Sequence, residues 1–205
     1  MKKYIIFTLC FIASNICSGQ FKTTSEIGFQ SGLMYYLGDL NKCKDCFQGG
    51  HFSKSSPFIS INYKENVDKR ISYRANILMG QIKGDDRVEN RDSISRERGL
   101  HFKSKLYEIS GKIEFNFLPF ELGNPMYKWT PFLFSGLSMF YFNPQAENYN
   151  GEWVDLQPLS TEGQETTSFP ERQRYRLSQF AIPIGGGLKF SLSKFSNFII
   201  EYSAR

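Results

Sequence analysis

The chain has 205 residues, of which 40% are hydrophobic, 16% aromatic and 22% charged, and its formal net charge is +5. This length suggests one domain, or at most a small pair. No run approaches the roughly 18 apolar residues of a membrane-spanning helix, and 20 Phe and 11 Tyr exclude a disordered chain. No dense run of Lys and Arg indicates nucleic-acid binding. A β-rich protein remains, either soluble or in a membrane as a barrel.

The first 19 residues have the pattern of a secretory signal peptide. Lys2 and Lys3 precede an apolar stretch, Tyr4–Ala13, which is too short to span a bilayer. We expect cleavage after Gly19, which leaves residues 20–205 as the mature domain and lowers the formal charge from +5 to +3. The alternative is a buried N-terminal strand. Export would place the mature chain in an oxidising compartment.

Seven segments of the mature chain predict β-strands. In most of them apolar and polar side chains alternate with a period of two, which is typical of a strand and not of a helix. Their length exceeds the ~5–6 residues of soluble strands and suits the ~9–11 residues of a tilted transmembrane strand. The segments are Ser25–Tyr36, Pro57–Glu65, Arg70–Ile82, Leu106–Phe117, Thr130–Phe142, Leu177–Leu192 and Asn197–Arg205.

The connections between these strands alternate in length. Three long polar connections are Leu37–Ser56, Lys83–Lys105 and Asn143–Arg176, and three shorter ones are Asn66–Lys69, Leu118–Trp129 and Ser193–Ser196. Long connections at one end and short turns at the other are typical of an antiparallel transmembrane outer-membrane β-barrel. A sheet in hydrocarbon must close to satisfy its backbone, and bacterial barrels close with an even number of strands. We therefore expect eight strands, with a closing strand beyond Arg205.

An eight-stranded barrel is filled by its own side chains and leaves no open channel. The charged and polar side chains that the alternation turns inward carry both signs, which predicts an internal ion-pair network. They are Glu26, Gln30, Lys64, Arg74, Glu108, Lys112, Glu114, Lys189, Glu201 and Arg205. Aromatic residues cluster near the strand ends, as in interfacial girdles. These are Tyr35, Tyr36, Tyr63, Tyr107, Phe115, Phe117, Phe132, Tyr141 and Phe142.

The first long connection contains a CxxC pair, Cys43 and Cys46. A redox CxxC begins a helix after a strand, and no such context is present. A zinc site requires about four ligands, and His51 with Asp45 would complete it only poorly. A small local disulfide or two free thiols fits better, and we predict neither a metal nor a cofactor.

Two further features could suggest chemistry. His101 has Asp85, Asp86, Asp92 and Ser104 nearby in sequence, and some outer-membrane barrels are enzymes that combine His, Asp and Ser at the rim. No motif fixes such a grouping here, so we expect no catalytic residues. Gly185-Gly186-Gly187 could suggest a phosphate-binding loop, but no helix follows these glycines, so we do not expect such a loop. Pro183 removes one ladder hydrogen bond, which suggests a β-bulge.

Several stretches resemble a known outer-membrane family. They are Glu26–Asn41, Phe102–Phe120, Thr130–Phe132, Tyr141–Ala146, Gly151–Leu159 and Gln179–Phe190. Together they span nearly all of the mature chain and are similar to the PorG-like β-barrels of the Bacteroidota, which belong to the type IX secretion system.

This resemblance implies a structural, non-enzymatic barrel in the outer membrane, linked to a periplasmic ring of PorK- and PorN-like proteins. The largest short-side turn supplies a plausible contact with that ring, through the apolar residues Phe120, Leu122, Met126 and Trp129. The alternatives are a small OmpA-like structural or pore-type barrel, an outer-membrane barrel enzyme, and a soluble lipocalin-like barrel.

Overall fold

The computed structural model describes residues 23–38, 55–85, 99–161, 164–165 and 170–205. Nine strands account for the regular structure of these residues. They are β1 (Thr24–Met34), β2 (Ser56–Asn66), β3 (Ile71–Asp85), β4 (His101–Asn116), β5 (Trp129–Glu147), β6 (Trp153–Asp155), β7 (Ser178–Ala181), β8 (Ile184–Ser191) and β9 (Asn197–Ala204). The described part of the chain has no helix long and apolar enough to cross a membrane. The predicted signal peptide lies outside the described residues.

All strands belong to one antiparallel sheet in the order β1-β2-β3-β4-β5-β8-β9, and β6 and β7 also pair with β5. Each strand of the main path therefore lies beside its neighbour in sequence. The sheet is curled, so that Glu201 of β9 reaches the inner face of β3, and Arg205, which follows β9, reaches the inner face of β4. The predicted all-β antiparallel barrel fold is confirmed.

The sixth predicted strand, Leu177–Leu192, is divided into β7 and β8. Both halves pair with β5, and Ile182 and Pro183 lie between them. Proline has no N–H to donate, so the ladder is interrupted there. Ser138 pairs with Ala181 on one side of the break and Ser135 with Ile184 on the other. This register inserts no extra residue, so the predicted bulge is wrong.

Three central strands are longer than predicted. β3 continues to Asp85, β4 begins at His101 rather than Leu106, and β5 continues to Glu147. The far end of β5 also pairs with the short strand β6, which the sequence did not indicate. An extension of these three strands, with β6 added along β5, therefore projects from the barrel at the end that carries the long connections.

Candidate functional site

The burial pattern of the sheet is the reverse of that of a soluble protein. On β4, Ile113 is 56% exposed, whereas its neighbours Lys112 and Glu114 are 4% and 0% exposed. The same alternation runs along β3 and β9. Soluble proteins rarely bury charged side chains and seldom expose a continuous row of large apolar ones. An apolar outer surface around a polar interior is typical of a barrel that faces lipid.

Ion pairs inside the barrel connect strands that are distant in the sheet. Arg74 on β3 contacts Glu114 on β4 at 2.7 Å and Glu201 on β9 at 2.8 Å. The ammonium of Lys189 on β8 donates to Glu114 at 2.6 Å and to Asn116 at 2.8 Å. Because Glu114 is completely covered, two cations compensate the charge of one buried carboxylate.

Two further pairs lie towards the ends of the barrel. Lys64 on β2 contacts Glu26 on β1 at 2.9 Å, and the guanidinium of Arg205 donates to both carboxylate oxygens of Glu108. Lys112 has no carboxylate partner among the described residues, and its ammonium lies 4.9 Å from the centre of the Phe134 ring. The predicted ion-pair network is confirmed.

The outward face of the sheet carries an apolar belt with a sharp upper boundary. On β3 the belt includes Ile71, Tyr73, Ala75, Ile77 and Met79. A segment of about nine residues rises roughly 27 Å, or roughly 21 Å along the membrane normal at a tilt of about 40°. With its end side chains it matches the ~25 Å apolar band of outer-membrane barrels.

Aromatic residues mark the upper edge of the belt. Tyr107 pairs with Tyr141 across β4 and β5, and both side chains are exposed beside Met79. Phe115 and Phe117 lie exposed at the other edge, with their ring centres 5.6 Å apart. These positions agree with the predicted girdles. Phe132 was expected there and is instead buried inside, since it lies on the inward face of β5.

Beyond the upper edge the outward positions of β3, β4 and β5 become polar. Row by row in the register, they are Gln81, Lys105 and Asn143, then Lys83, Lys103 and Gln145, and finally Asp85, His101 and Glu147. β6 covers the end of this extension, where the Lys103 ammonium lies 3.5 Å from the centre of the Trp153 ring. The sequence offered no alternation of apolar and polar residues by which to find it.

His101 is part of this extension and is held by structural contacts. Its Nε2 accepts a hydrogen bond of 3.3 Å from the Glu147 backbone N–H, and its ring meets Trp153 edge to face. Ser104 is buried on the inward face of the strand, opposite to the outward face of His101, and its hydroxyl donates to the Lys105 carbonyl. The two side chains are therefore not arranged as a catalytic pair.

A shallow cavity of about 480 Å³ lies beside His101, lined by Glu147, Tyr149, Val154, Leu156 and Leu159. The other residues considered for chemistry, Asp86, Asp92, Cys43, Cys46 and His51, lie outside the described residues. Within the described ranges no group of three or more His, Cys, Asp or Glu side chains is placed to hold a metal ion.

The carboxylate of β6, Asp155, is fully exposed and bound by two amides. Gln145 Nε2 donates to Asp155 Oδ1 at 2.7 Å and Asn143 Nδ2 donates at 3.1 Å. These hydrogen bonds stabilise the charged form and hold the pKa of Asp155 below its ordinary value. The contacts fasten β6 to β5.

The four residues predicted to contact a partner lie in or beside the longest of the short turns, and their side chains differ widely in exposure. Phe120 is only 5% exposed, and its N–H donates to the Lys69 carbonyl, so it holds the turn in place. Leu122 is half-buried, whereas Met126 and Trp129 are 83% and 50% exposed. The partner contact itself remains a prediction, for which Met126 is the most available side chain.

A family model described as "Domain of unknown function (DUF6089)" matches residues 2–205. No curated protein and no solved structure matches significantly. Since the family model covers nearly the entire sequence, the chain belongs to the DUF6089 family.

Proposed function

We propose that the protein is a non-enzymatic β-barrel of the bacterial outer membrane that anchors a periplasmic ring of the type IX secretion machinery. The observation that carries the membrane placement is the apolar belt around a charged interior, exemplified by exposed Ile113 beside buried Lys112 and Glu114. In water such a surface would leave a large, continuous apolar area exposed, which soluble monomers avoid. In lipid the same area is solvated by acyl chains.

The filled interior favours an anchor over a pore. The pair Glu201–Arg74 crosses the lumen from β9 to β3, and the pair Arg205–Glu108 crosses it from the residue after β9 to β4. Small barrels are filled by such side chains and leave no aqueous channel. A pore-type barrel would be indicated by stable single-channel conductance in planar bilayers.

The secretion role is supported by the resemblance of several stretches to PorG-like barrels, among which Gly151–Leu159 includes all of β6. A ring in the periplasm would meet the end of the barrel that carries the short turns. Exposed apolar side chains are present at that end, including Met126, Leu192 and Phe195. A cluster of this kind is typical of a protein contact surface.

The membrane placement is tested by fractionation. The protein should be recovered with outer membranes and should resist extraction by carbonate or high salt. Recovery of folded protein from the aqueous periplasm would overturn the proposal.

The partner contact is tested by co-purification of PorK- and PorN-like ring proteins with the Met126→Asp variant. Because Met126 is largely exposed, its replacement should leave the barrel folded and reduce the recovered ring proteins several-fold. Tyr149→Asp provides the control, since Tyr149 is also exposed but lies at the opposite end, beside the cavity. Undiminished recovery with Met126→Asp and with deletion of residues 121–127 would exclude this turn.

A further inference from the structure

We propose that the cavity beside His101 binds an organic ammonium ion, whose apolar body enters the cavity and whose charge lies between the Glu147 carboxylate and the Tyr149 ring. The cavity lies at the end of the sheet that carries the long connections. The inference adds a binding site and a ligand class to the proposed function, and it depends on neither the membrane placement nor the secretion role.

The walls of the cavity are mainly aliphatic, and backbone hydrogen bonds hold them in place. Val154 lines the cavity and pairs with Ala146 in the ladder of β6 and β5. The N–H of Leu156 donates to the Pro144 carbonyl at 2.9 Å, and the N–H of Leu159 donates to the Leu156 carbonyl at 3.1 Å. A site that is formed before its ligand arrives loses little entropy on binding. The volume of about 480 Å³ is that of a small-molecule site, so these walls suit an apolar body.

The charges beside the aliphatic walls are negative. In the described part of the chain, the Glu147 carboxylate has no Lys or Arg nitrogen within 4 Å. The Glu152 carboxylate accepts a hydrogen bond of 3.2 Å from the neutral amide of Asn148, which also lines the cavity. The ammonium of Lys103 lies over the Trp153 ring, 3.5 Å from its centre. The rim of the cavity therefore favours a cation over an anion.

His101 leaves the charge of Glu147 uncompensated. Its Nε2 accepts a hydrogen bond of 3.3 Å from the Glu147 backbone N–H, so this nitrogen carries no proton. Its Nδ1 lies 3.5 Å from the Gly99 carbonyl, where it can act as the donor of the neutral ring. The 3.7 Å distance from Nε2 to the Glu147 carboxylate is then not an ion pair. The carboxylate remains available to an external cation.

Tyr149 adds an aromatic face at the rim of the cavity. Its side chain lines the cavity and is otherwise fully exposed. The turn that carries it is held by Asn148, whose Oδ1 accepts hydrogen bonds of 2.9 Å from the N–H groups of Asn150 and Glu152. The face of an aromatic ring attracts ammonium groups, and this cation–π interaction is used to recognise organic cations. The ring and the Glu147 carboxylate thus select positive charge by two different means.

The test measures the binding of three probes that share one apolar body: phenylbutylamine, phenylbutanol and phenylbutyrate. The mature protein is folded in neutral maltoside micelles, and Trp129→Phe leaves Trp153, which packs against His101, as the sole tryptophan. Its fluorescence reports binding, and empty micelles correct for partition of the probes. The amine should bind about 5-fold more tightly than the alcohol, and the carboxylate should bind most weakly. Methylammonium, which has no apolar body, should not bind.

Single substitutions separate the charge from the cavity walls. Glu147→Gln should lower the affinity for phenylbutylamine to that for phenylbutanol and leave phenylbutanol binding unchanged. Tyr149→Ser should weaken the amine about 2-fold to 5-fold through loss of the ring. Glu65→Gln makes the same charge change at an exposed position of the opposite end and should leave all three affinities unchanged. Circular dichroism checks that each variant is folded.

Equal affinity for the three probes would show an apolar cavity without charge selection and would overturn the inference. Tighter binding of phenylbutyrate, or binding of none of the probes, would overturn it as well. Equal loss of amine binding in Glu147→Gln and Glu65→Gln would assign the effect to the net charge of the protein and not to this site. None of these outcomes alters the fractionation or co-purification results, so the proposed function stands or falls separately.

Discussion

Asn197, the first residue of β9, donates a side-chain hydrogen bond of 2.5 Å to the carboxylate of Glu26 on β1. These two strands are the edges of the sheet, and no ladder joins them among the described residues. Standard bond lengths limit the two Cα atoms to a separation of about 11 Å, and two strand spacings amount to about 9.6 Å. The gap between the edges is therefore wide enough for at most one strand.

The directions of the two edge strands also allow one further strand in this gap. Strands alternate in direction along the path from β1 to β9, and the path contains seven positions. β1 and β9 consequently run the same way, so one further strand would be antiparallel to both. This arrangement suits the even strand number of bacterial barrels and is compatible with the eighth strand that the sequence pattern predicts.

Glu26 is predicted to be essential for this end of the barrel. It receives hydrogen bonds from Asn66 and Asn197 and contacts the ammonium of Lys64, whose side chain is 3% exposed. Glu26→Gln leaves that ammonium without a carboxylate, which should lower the free energy of unfolding by about 3 kcal/mol. Urea titration of the protein in detergent measures the change. Adding Lys64→Met should recover much of the loss, whereas equal instability of the single and double variants would contradict the role of this pair.

The strands inside the belt could be predicted because their two faces carry side chains of different polarity. Ile77 and Ile113 face outward between inward Arg74, Lys112 and Glu114, so the alternation is visible in the sequence. Above the belt both faces of the extension are polar or mixed, and the signal disappears at Lys83 and Lys105. For this reason the strands predicted from the sequence stop several residues short of the observed limits of β3, β4 and β5 in the extension.

The ion pairs could be predicted only as a set. Alternation places Arg74 and Glu201 inside, but their contact joins β3 to β9 across the lumen. The curvature of the sheet decides such partners, and a sequence pattern contains no measure of curvature. The pairing of Asp155 with Gln145 and Asn143 was missed for a related reason, because β6 has only three residues and no periodicity.

If the apolar belt lies in hydrocarbon, the free energy of unfolding should depend steeply on the depth at which a charged side chain is introduced. Ile77 and Gln81 both face outward on β3, but Ile77 lies within the belt and Gln81 lies beyond its edge. Ile77→Arg should destabilise the folded barrel by about 2–4 kcal/mol, whereas Gln81→Arg should cost about 1 kcal/mol or less. Reversible unfolding in lipid vesicles compares the two. Similar costs would mean that the outward face does not lie in hydrocarbon.

Two adjacent glycines should respond in opposite ways to alanine. A Cβ on Gly136, which faces inward on β5, would overlap the Gly111 carbonyl and lie 2.8 Å from Lys112 Cα. Gly136→Ala should therefore destabilise the barrel by about 1–3 kcal/mol. Gly111 faces outward and has no atom within 4 Å of such a Cβ, so Gly111→Ala should be neutral or stabilise by up to ~1 kcal/mol. The order of the two midpoints in thermal unfolding checks the prediction, and the reverse order would contradict the assignment of the faces.

The attachment of β6 to β5 should weaken in acid. The hydrogen bonds from Gln145 and Asn143 hold the pKa of Asp155 below its ordinary value of 3.8. A depressed pKa contributes stability that is fully present above the unfolded value and is lost as the pH falls through the folded value. The exchange of the β6 backbone amides should thus accelerate only below about pH 4.

Carboxyl chemical shifts of Asp155 measure the pKa directly, and Gln145→Leu should raise it towards the ordinary value. Asp155→Asn should make exchange in β6 independent of pH over this range, apart from the intrinsic chemical rate, and an unchanged acid response in that variant would assign the effect to another group.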